Sequence, residues 1–234
     1  VKRWRAGSGA AAAFGVVAMI AGLAGCGGSQ YTFVRDSGGS TYFKVPNTWQ
    51  KVDQKSVDAA FLGDPASATS QVLKQRIWTA AYDGHTQPSI DHFLTGGPGG
   101  ADEPFAFAIV QTLTDDQQQD VSLNALRTLL NFPVTATAAE RAANEENKQY
   151  PYKNFELTAD DVLEGDNGAK GVRMQFSLRY MGGPLQTFQQ TSWVSSDGGK
   201  VSTLLIRCSA TCFQQRQTEL DSIAQSFKVK NNFG

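Results

Sequence analysis

Val172-Arg173-Met174-Gln175-Phe176-Ser177-Leu178-Arg179-Tyr180 is the stretch that decides the fold. Val172, Met174, Phe176, Leu178 and Tyr180 alternate strictly with Arg173, Gln175, Ser177 and Arg179. A period of two is that of a strand with one buried face and one wet face. Gly165-Asp166-Asn167-Gly168, Met181-Gly182-Gly183-Pro184 and Asp197-Gly198-Gly199 are turn sequences, and they divide Phe155 to Cys208 into four successive strands. Turns this short join only antiparallel neighbours, because a parallel return needs a long crossover.

Working outward, Tyr31–Val34 and Thr41–Val45 flank Asp36-Ser37-Gly38-Gly39 and read as a hairpin, with Trp49 entering the core behind Pro46. Val72–Tyr82, rich in Ile, Trp and Tyr, reads as a central strand ending at Asp83-Gly84, and Phe105–Leu113 as another. Ser56 is placed to cap a short helix through Leu62, before the stop Gly63-Asp64-Pro65. Ser89 opens a second, with Ile90, Phe93 and Leu94 as its apolar face, and Gly96-Gly97-Pro98-Gly99-Gly100 ends it. Val121–Asn131 has a helical apolar face of Val121, Ala125, Leu126, Leu129 and Leu130. Thr137 and Glu140 form a capping-box pattern before Arg141–Gln149, a helix with only alanines to bury and therefore expected on the surface. Phe213, Leu220, Ile223, Ala224 and Phe227 make the stripe of a closing helix, followed by a short segment, Phe227–Lys230. No internal repeat or second domain boundary is apparent. The expected fold class is α+β, an antiparallel sheet with helices mainly over its apolar face.

The first residues follow different rules. Lys2, Arg3 and Arg5 precede an uncharged run from Ala10 to Ala24, which is below the about 20 apolar residues of a membrane span. A positive head, an apolar run and a small-residue exit make a secretory signal. Its exit, Leu23-Ala24-Gly25-Cys26, resembles a bacterial lipobox. That resemblance implies diacylglyceryl transfer to the Cys26 thiol and cleavage before Cys26. The expected division is residues 1–25 as lipoprotein signal peptide, 26–30 as tether and 31–230 as the folded domain. The implied location is the cell membrane, lipid-anchored on the extracytoplasmic face. Without the signal the chain has 18 basic and 22 acidic residues, a net charge of −4. Such a balance argues against nucleic acid, or a polybasic lipid contact, as the main partner. A monomer is expected.

Tyr42-Phe43-Lys44-Val45-Pro46-Asn47-Thr48-Trp49 is similar to the F-x-V-P-x-x-W opening of PsbP-like proteins and of actinobacterial LpqN-type lipoproteins. The helix from Leu220 running into Ser226-Phe227-Lys228-Val229 is similar to their close. The resemblance covers both ends of the domain and the order of elements between. It implies an α-β-α sandwich with non-catalytic accessory or binding roles, and carries over no functional residues.

With Cys26 lipidated, Cys208 and Cys212 remain as an even pair in an oxidising compartment, where a disulfide is expected. Two buried thiols, or half of a metal site lacking nearby ligands, are the alternatives. The mature chain has no Gly-x-Ser-x-Gly elbow, His-Glu-x-x-His, Walker-type loop or Gly-x-Gly-x-x-Gly fingerprint. His85 and His92, beside Asp83 and Asp91, have irregular spacing for metal ligands and read as polar loop residues. Asp160, Asp161, Glu164 and Asp166 gather at a hairpin tip without EF-hand spacing and read as turn chemistry. No metal and no cofactor are expected. Arg173 and Arg179 are the candidate surface-binding residues, against the plainer reading of a solvated sheet face.

Two function classes follow. One is an envelope accessory or binding module, not an enzyme, whose partner is a membrane through Cys26 and an envelope protein. The other is a carrier of lipid or a small apolar ligand, which needs an apolar cavity of several hundred Å³ where a binding module is packed solid. Replacing Cys26 by Ala is expected to release the protein or leave an unprocessed precursor; palmitate labelling that persists in the variant would place the anchor elsewhere.

Overall fold

The computed structural model describes residues 29–94, 100–165 and 168–230. The expected signal peptide, Cys26, most of Gly96–Gly100 and the Asp166-Asn167 turn centre lie outside these residues.

The expected strands are present. β1 (Tyr31–Arg35) and β2 (Thr41–Pro46) form the first hairpin, and β3 (Gln50–Lys51), β4 (Ile77–Asp83) and β5 (Phe105–Thr112) follow. The four strands of the deciding stretch are β6 (Tyr152–Glu164), β7 (Lys170–Tyr180), β8 (Leu185–Val194) and β9 (Lys200–Ser209), and β10 (Lys228–Val229) is last. Seven strands make one antiparallel sheet in the order β3-β4-β5-β9-β8-β7-β6, and β1-β2-β10 make a second, smaller one. Phe176 stands opposite Phe188 across β7 and β8, with the rings stacked at 5.4 Å. The protein is α+β, as its alternation requires.

Helices cover the large sheet on both faces, not mainly on one. Met174, Phe176, Leu178, Phe188, Leu205, Phe105 and Phe107 point to one side, against Val57, Phe93, Phe132 and Val134. Ala80, Ala106, Ala108, Leu204 and Ile206 point to the other, against Phe43, Val45, Leu220, Ile223 and Phe227. The reason is legible in β5, where Phe-Ala-Phe-Ala-Ile-Val does not alternate with polar residues. A strand apolar on both sides is buried on both sides. β7, farther out, keeps its polar face: Arg173, Gln175 and Ser177 are half-buried and Arg179 is exposed.

Helix boundaries moved where side-chain caps decide them. α1 (Gln54–Leu62) is capped by Asp53, which accepts from the Ser56 amide, so Ser56 lies inside the helix. Val72 to Arg76 is not strand. Ser67 accepts from the Ser70 amide and starts α2 (Ala68–Arg76), on which Val72 is 57% exposed. The helix expected over 121–131 is shorter, Leu123–Thr128, and a further helix that the sequence reading lacked precedes it. Thr114 and Gln117 form a capping box for α3 (Asp115–Asp120), and Ser122 then caps a separate α4 (Leu123–Thr128). Each Ser or Thr here offers the amides two or three residues ahead a better partner than continued helix would. α5 (Ala138–Glu146) has the expected Thr137–Glu140 box and buries no residue. Ser89 opens only a 3-10 turn, Ile90–His92, which still packs Phe93 into the core. After β9 come α6 (Ala210–Gln215) and α7 (Gln217–Ser226), and a Cys208–Cys212 disulfide, Cα atoms 5.8 Å apart, ties the end of β9 to α6.

Phe176 is fully buried, so Phe176→Ala should lower unfolding stability by about 3–5 kcal/mol in denaturant titration. Arg173→Ala with Arg179→Ala should stay within about half a kcal/mol of the parent. A large loss in the double variant would mean that the polar face is part of the core.

Candidate binding surface

β3 covers only one end of the β4 edge, pairing with Tyr82 and Asp83. Along the rest of that edge an open cleft of about 500 Å³ is lined by α1, the last turn of α2, the β1–β2 turn and Lys200. Asp58 on α1 accepts from Gln54 (2.8 Å) and Thr79 (3.1 Å) and pairs with Lys74 at 2.7 Å. At the other wall the buried Asp36 carboxylate holds its own turn through Gly38 N, Ser40 Oγ and Thr41 N, the last at 2.6 Å. Lys200 donates to Ser40 Oγ at 3.3 Å. Arg76 and Trp78, both half-buried, complete the lining. An aromatic face beside three cations and two carboxylates suits a polar ligand with a flat surface and a negative group.

The sequence did not point to this cleft. Its residues lie in five separate segments, and the reading of 72–82 as one strand hid the helix end that carries Lys74 and Arg76. The signal that could have found it is Ser67, a helix cap three residues before a polar run.

Arg173 and Arg179 share a face of β7 but do not converge. Six residues of strand separate them by about 20 Å. Arg173 donates to Thr191 Oγ1 at 3.4 Å and stands opposite Asp161 across the β6–β7 pair, which offsets its charge. Arg179 donates to Gly183 O at 3.2 Å in the adjoining turn. They make a polar strip, half-buried at Arg173 and exposed at Arg179, that does not converge on one anion.

His92 is buried, not a solvated loop residue. Its Nδ1 lies 2.6 Å from Asp83 Oδ2, and Asp83 also accepts the amides of His85 and Ser89. The carbonyl of His92 accepts from Arg207. Arg207 also donates to the carbonyls of Phe93, Gly100, Ala101 and Glu103, and to Gln186 Oε1. Burial pushes its guanidinium down to about 10, and the Asp83 charge opposes that fall. Apart from the Gln186 contact to β8, these polar contacts of the cluster secure the loop between β4 and β5, which is a structural use. Among the described residues no group of three or more His, Cys, Asp or Glu is placed to hold a metal ion.

Two further open clefts, of about 550 and 530 Å³, lie beside α7 and α5 and are lined mainly by polar side chains. Between the large sheet and its cover Phe132 packs 4.9 Å from Phe176 and 5.1 Å from Phe188, ring centre to ring centre. Among the described residues no helix is long and apolar enough to cross a membrane.

No protein-family model matches the chain, and no curated protein matches it. Solved structures similar to it include cyanobacterial PsbP (CyanoP) from Synechocystis, 15% identical over 88% of this chain and 98% of that one, TM-score 0.49. LpqN of Mycobacterium tuberculosis, involved in cell envelope biogenesis, is 14% identical over 86% and 91%, TM-score 0.44. The Ran-binding protein Mog1p of Saccharomyces cerevisiae is 10% identical over 85% and 95%, TM-score 0.41. Both families that the chain's ends resemble are among these structures; likeness at this level transfers no ligand, partner or activity.

The cleft has a pH signature. Burial raises the Asp58 carboxyl, but hydrogen bonds from Lys74, Gln54 and Thr79 outweigh it and hold the group below 3.8. A folded value below the unfolded one stabilises above the unfolded value, and the gain is lost as pH falls through the folded value. The melting-temperature gap between the parent and Asp58→Asn should therefore narrow once pH drops below about 4. A gap constant from neutral pH to about 2 would mean that the Asp58 charge contributes nothing.

Proposed function

We propose that the chain is an extracytoplasmic lipoprotein, anchored at Cys26, that serves as a non-catalytic accessory or binding module of the cell envelope. It is proposed to be of the LpqN-like kind and to act as a monomer. The anchor rests on the charged head, the uncharged run and Leu23-Ala24-Gly25-Cys26. The observation that carries the binding role is an open, charged cleft with Trp78 at its wall, beside a sheet whose two faces are packed with buried apolar side chains. A domain built this way presents its ligand groups at the surface and keeps its apolar residues for packing. The Asp83–His92 pair does not make it an enzyme in this reading, because both Asp83 oxygens accept loop amides and the pair is buried. The partner would be an envelope protein or other polar envelope component.

Extraction of protein purified from membranes with organic solvent, followed by mass spectrometry, separates this from the carrier reading. The binding module should yield no stoichiometric free lipid, its acyl chains being covalent and released only by hydrolysis. One mole of extractable lipid per mole, lost in a folded Phe176→Ala variant, would overturn it in favour of the carrier.

A further inference from the structure

The small sheet has an inner face of Val34, Phe43, Val45 and Phe227 that closes one core. Alternation sends their neighbours outward, but does not dictate what those neighbours are. β1 contributes Tyr31, Phe33 and Arg35 to the outer face, β2 contributes Tyr42 and Lys44, and Lys228 and Lys230 come from the β10 end. Phe33 is 69% exposed and stands opposite Lys44, and Tyr42 is flanked by Arg35 on one side and Lys228 on the other. Lys44 Nζ lies 4.1 Å from the Tyr31 ring centre and Lys230 Nζ 5.1 Å from that of Tyr42. The outward residues of the three strands, with Lys230 just beyond β10, thus join four cations to three aromatic rings and include no carboxylate.

We propose that this face docks on an anionic lipid bilayer, with Phe33 entering the headgroup–acyl boundary and the cations meeting lipid phosphates. The proposal rests on the anchor at Cys26. Tyr31 is five residues from Cys26, a reach of at most about 17 Å, so the anchored chain starts its first strand at the bilayer. Charge points the same way. The mature chain is net acidic and is repelled by anionic lipid everywhere but at such a patch, which therefore orients it. Exposed aromatic side chains with Lys and Arg are the groups that settle at this boundary. A whole-chain net charge of −4 does not exclude a lipid contact once the cations are gathered on one face.

The test uses the full-length protein purified from membranes and reconstituted on phosphatidylglycerol or phosphatidylcholine vesicles carrying a lipid-borne quencher. A fluorophore is attached at Phe33→Cys or, as the control, at Ala142→Cys. Ala142 is exposed on α5, on the opposite side of the large sheet. On phosphatidylglycerol the probe at 33 should lose most of its emission and the probe at 142 almost none. The contrast should collapse on phosphatidylcholine and in Lys44→Glu with Lys230→Glu, whose folding is checked by thermal melts. Equal quenching at both positions, or crosslinking of position 33 to an envelope protein without quenching, would overturn the docking face. Mass spectrometry reads the anchor separately. A Cys26 without acyl chains would sink the anchor, while quenching at 33 on added phosphatidylglycerol vesicles would still uphold the surface.

Discussion

The guanidinium of Arg207, 1% exposed near the end of a central strand, is the constraint on which the middle of the molecule depends. An unpaired buried charge is costly enough that a protein arranges its chain around it or does not bury it. Here the arrangement is a collar of backbone carbonyls from 92, 93, 100, 101 and 103, with the Asp83 charge near and Gln186 beneath. Those carbonyls fix where the β4–β5 loop runs, and the loop in turn delivers Phe93 to within 5.2 Å of Phe61 and Phe107. One residue on, Cys208 bonds to Cys212, and Ser209 N donates to the carbonyl of Ala101, so the same strand end also sets the start of α6. A neutral residue at 207 would leave several carbonyls without a donor, which is why this position cannot be judged by its own transfer energy.

How far the sequence carries depends on whether a feature is local. The β6–β9 meander was legible because alternation and short turns are both local, and each excludes the alternatives. The capping box at Thr137 and Glu140 was legible for the same reason. The start of β4 was not, since Val72 looks like strand until Ser67 is recognised as a cap. Arg207 left a sign in Leu204-Leu205-Ile206-Arg207-Cys208, a cation inside an apolar run, but nothing near it in sequence names its partners. The cleft at the β4 edge and the cationic face of the small sheet were invisible for a stronger reason. Each is assembled from segments far apart along the chain, and composition averages them away.

The large sheet has two edges, and they are protected by different means. At one, β3 is two residues long and the remaining edge of β4 is partly occupied by the Gln54 side chain, which donates to Thr79 O at 3.2 Å. At the other, β6 is thirteen residues long and largely exposed, with Leu157 and Val162 on its surface. A flat apolar edge of that length invites pairing with a second copy. Two features oppose it. The register of β6 against β7 slips between Lys153 and Glu156 and again between Leu157 and Ala159, so the strand is bent where a partner would need it straight. Glu156, Asp160, Asp161 and Glu164 also lie along it, and antiparallel self-pairing centred on Thr158 would set Glu156 against Asp160. Arg127 already takes Asp160 at 2.8 Å, and among the described residues the other three form no salt bridge. The long edge is thereby kept as an edge, without a strand from a second copy laid along it.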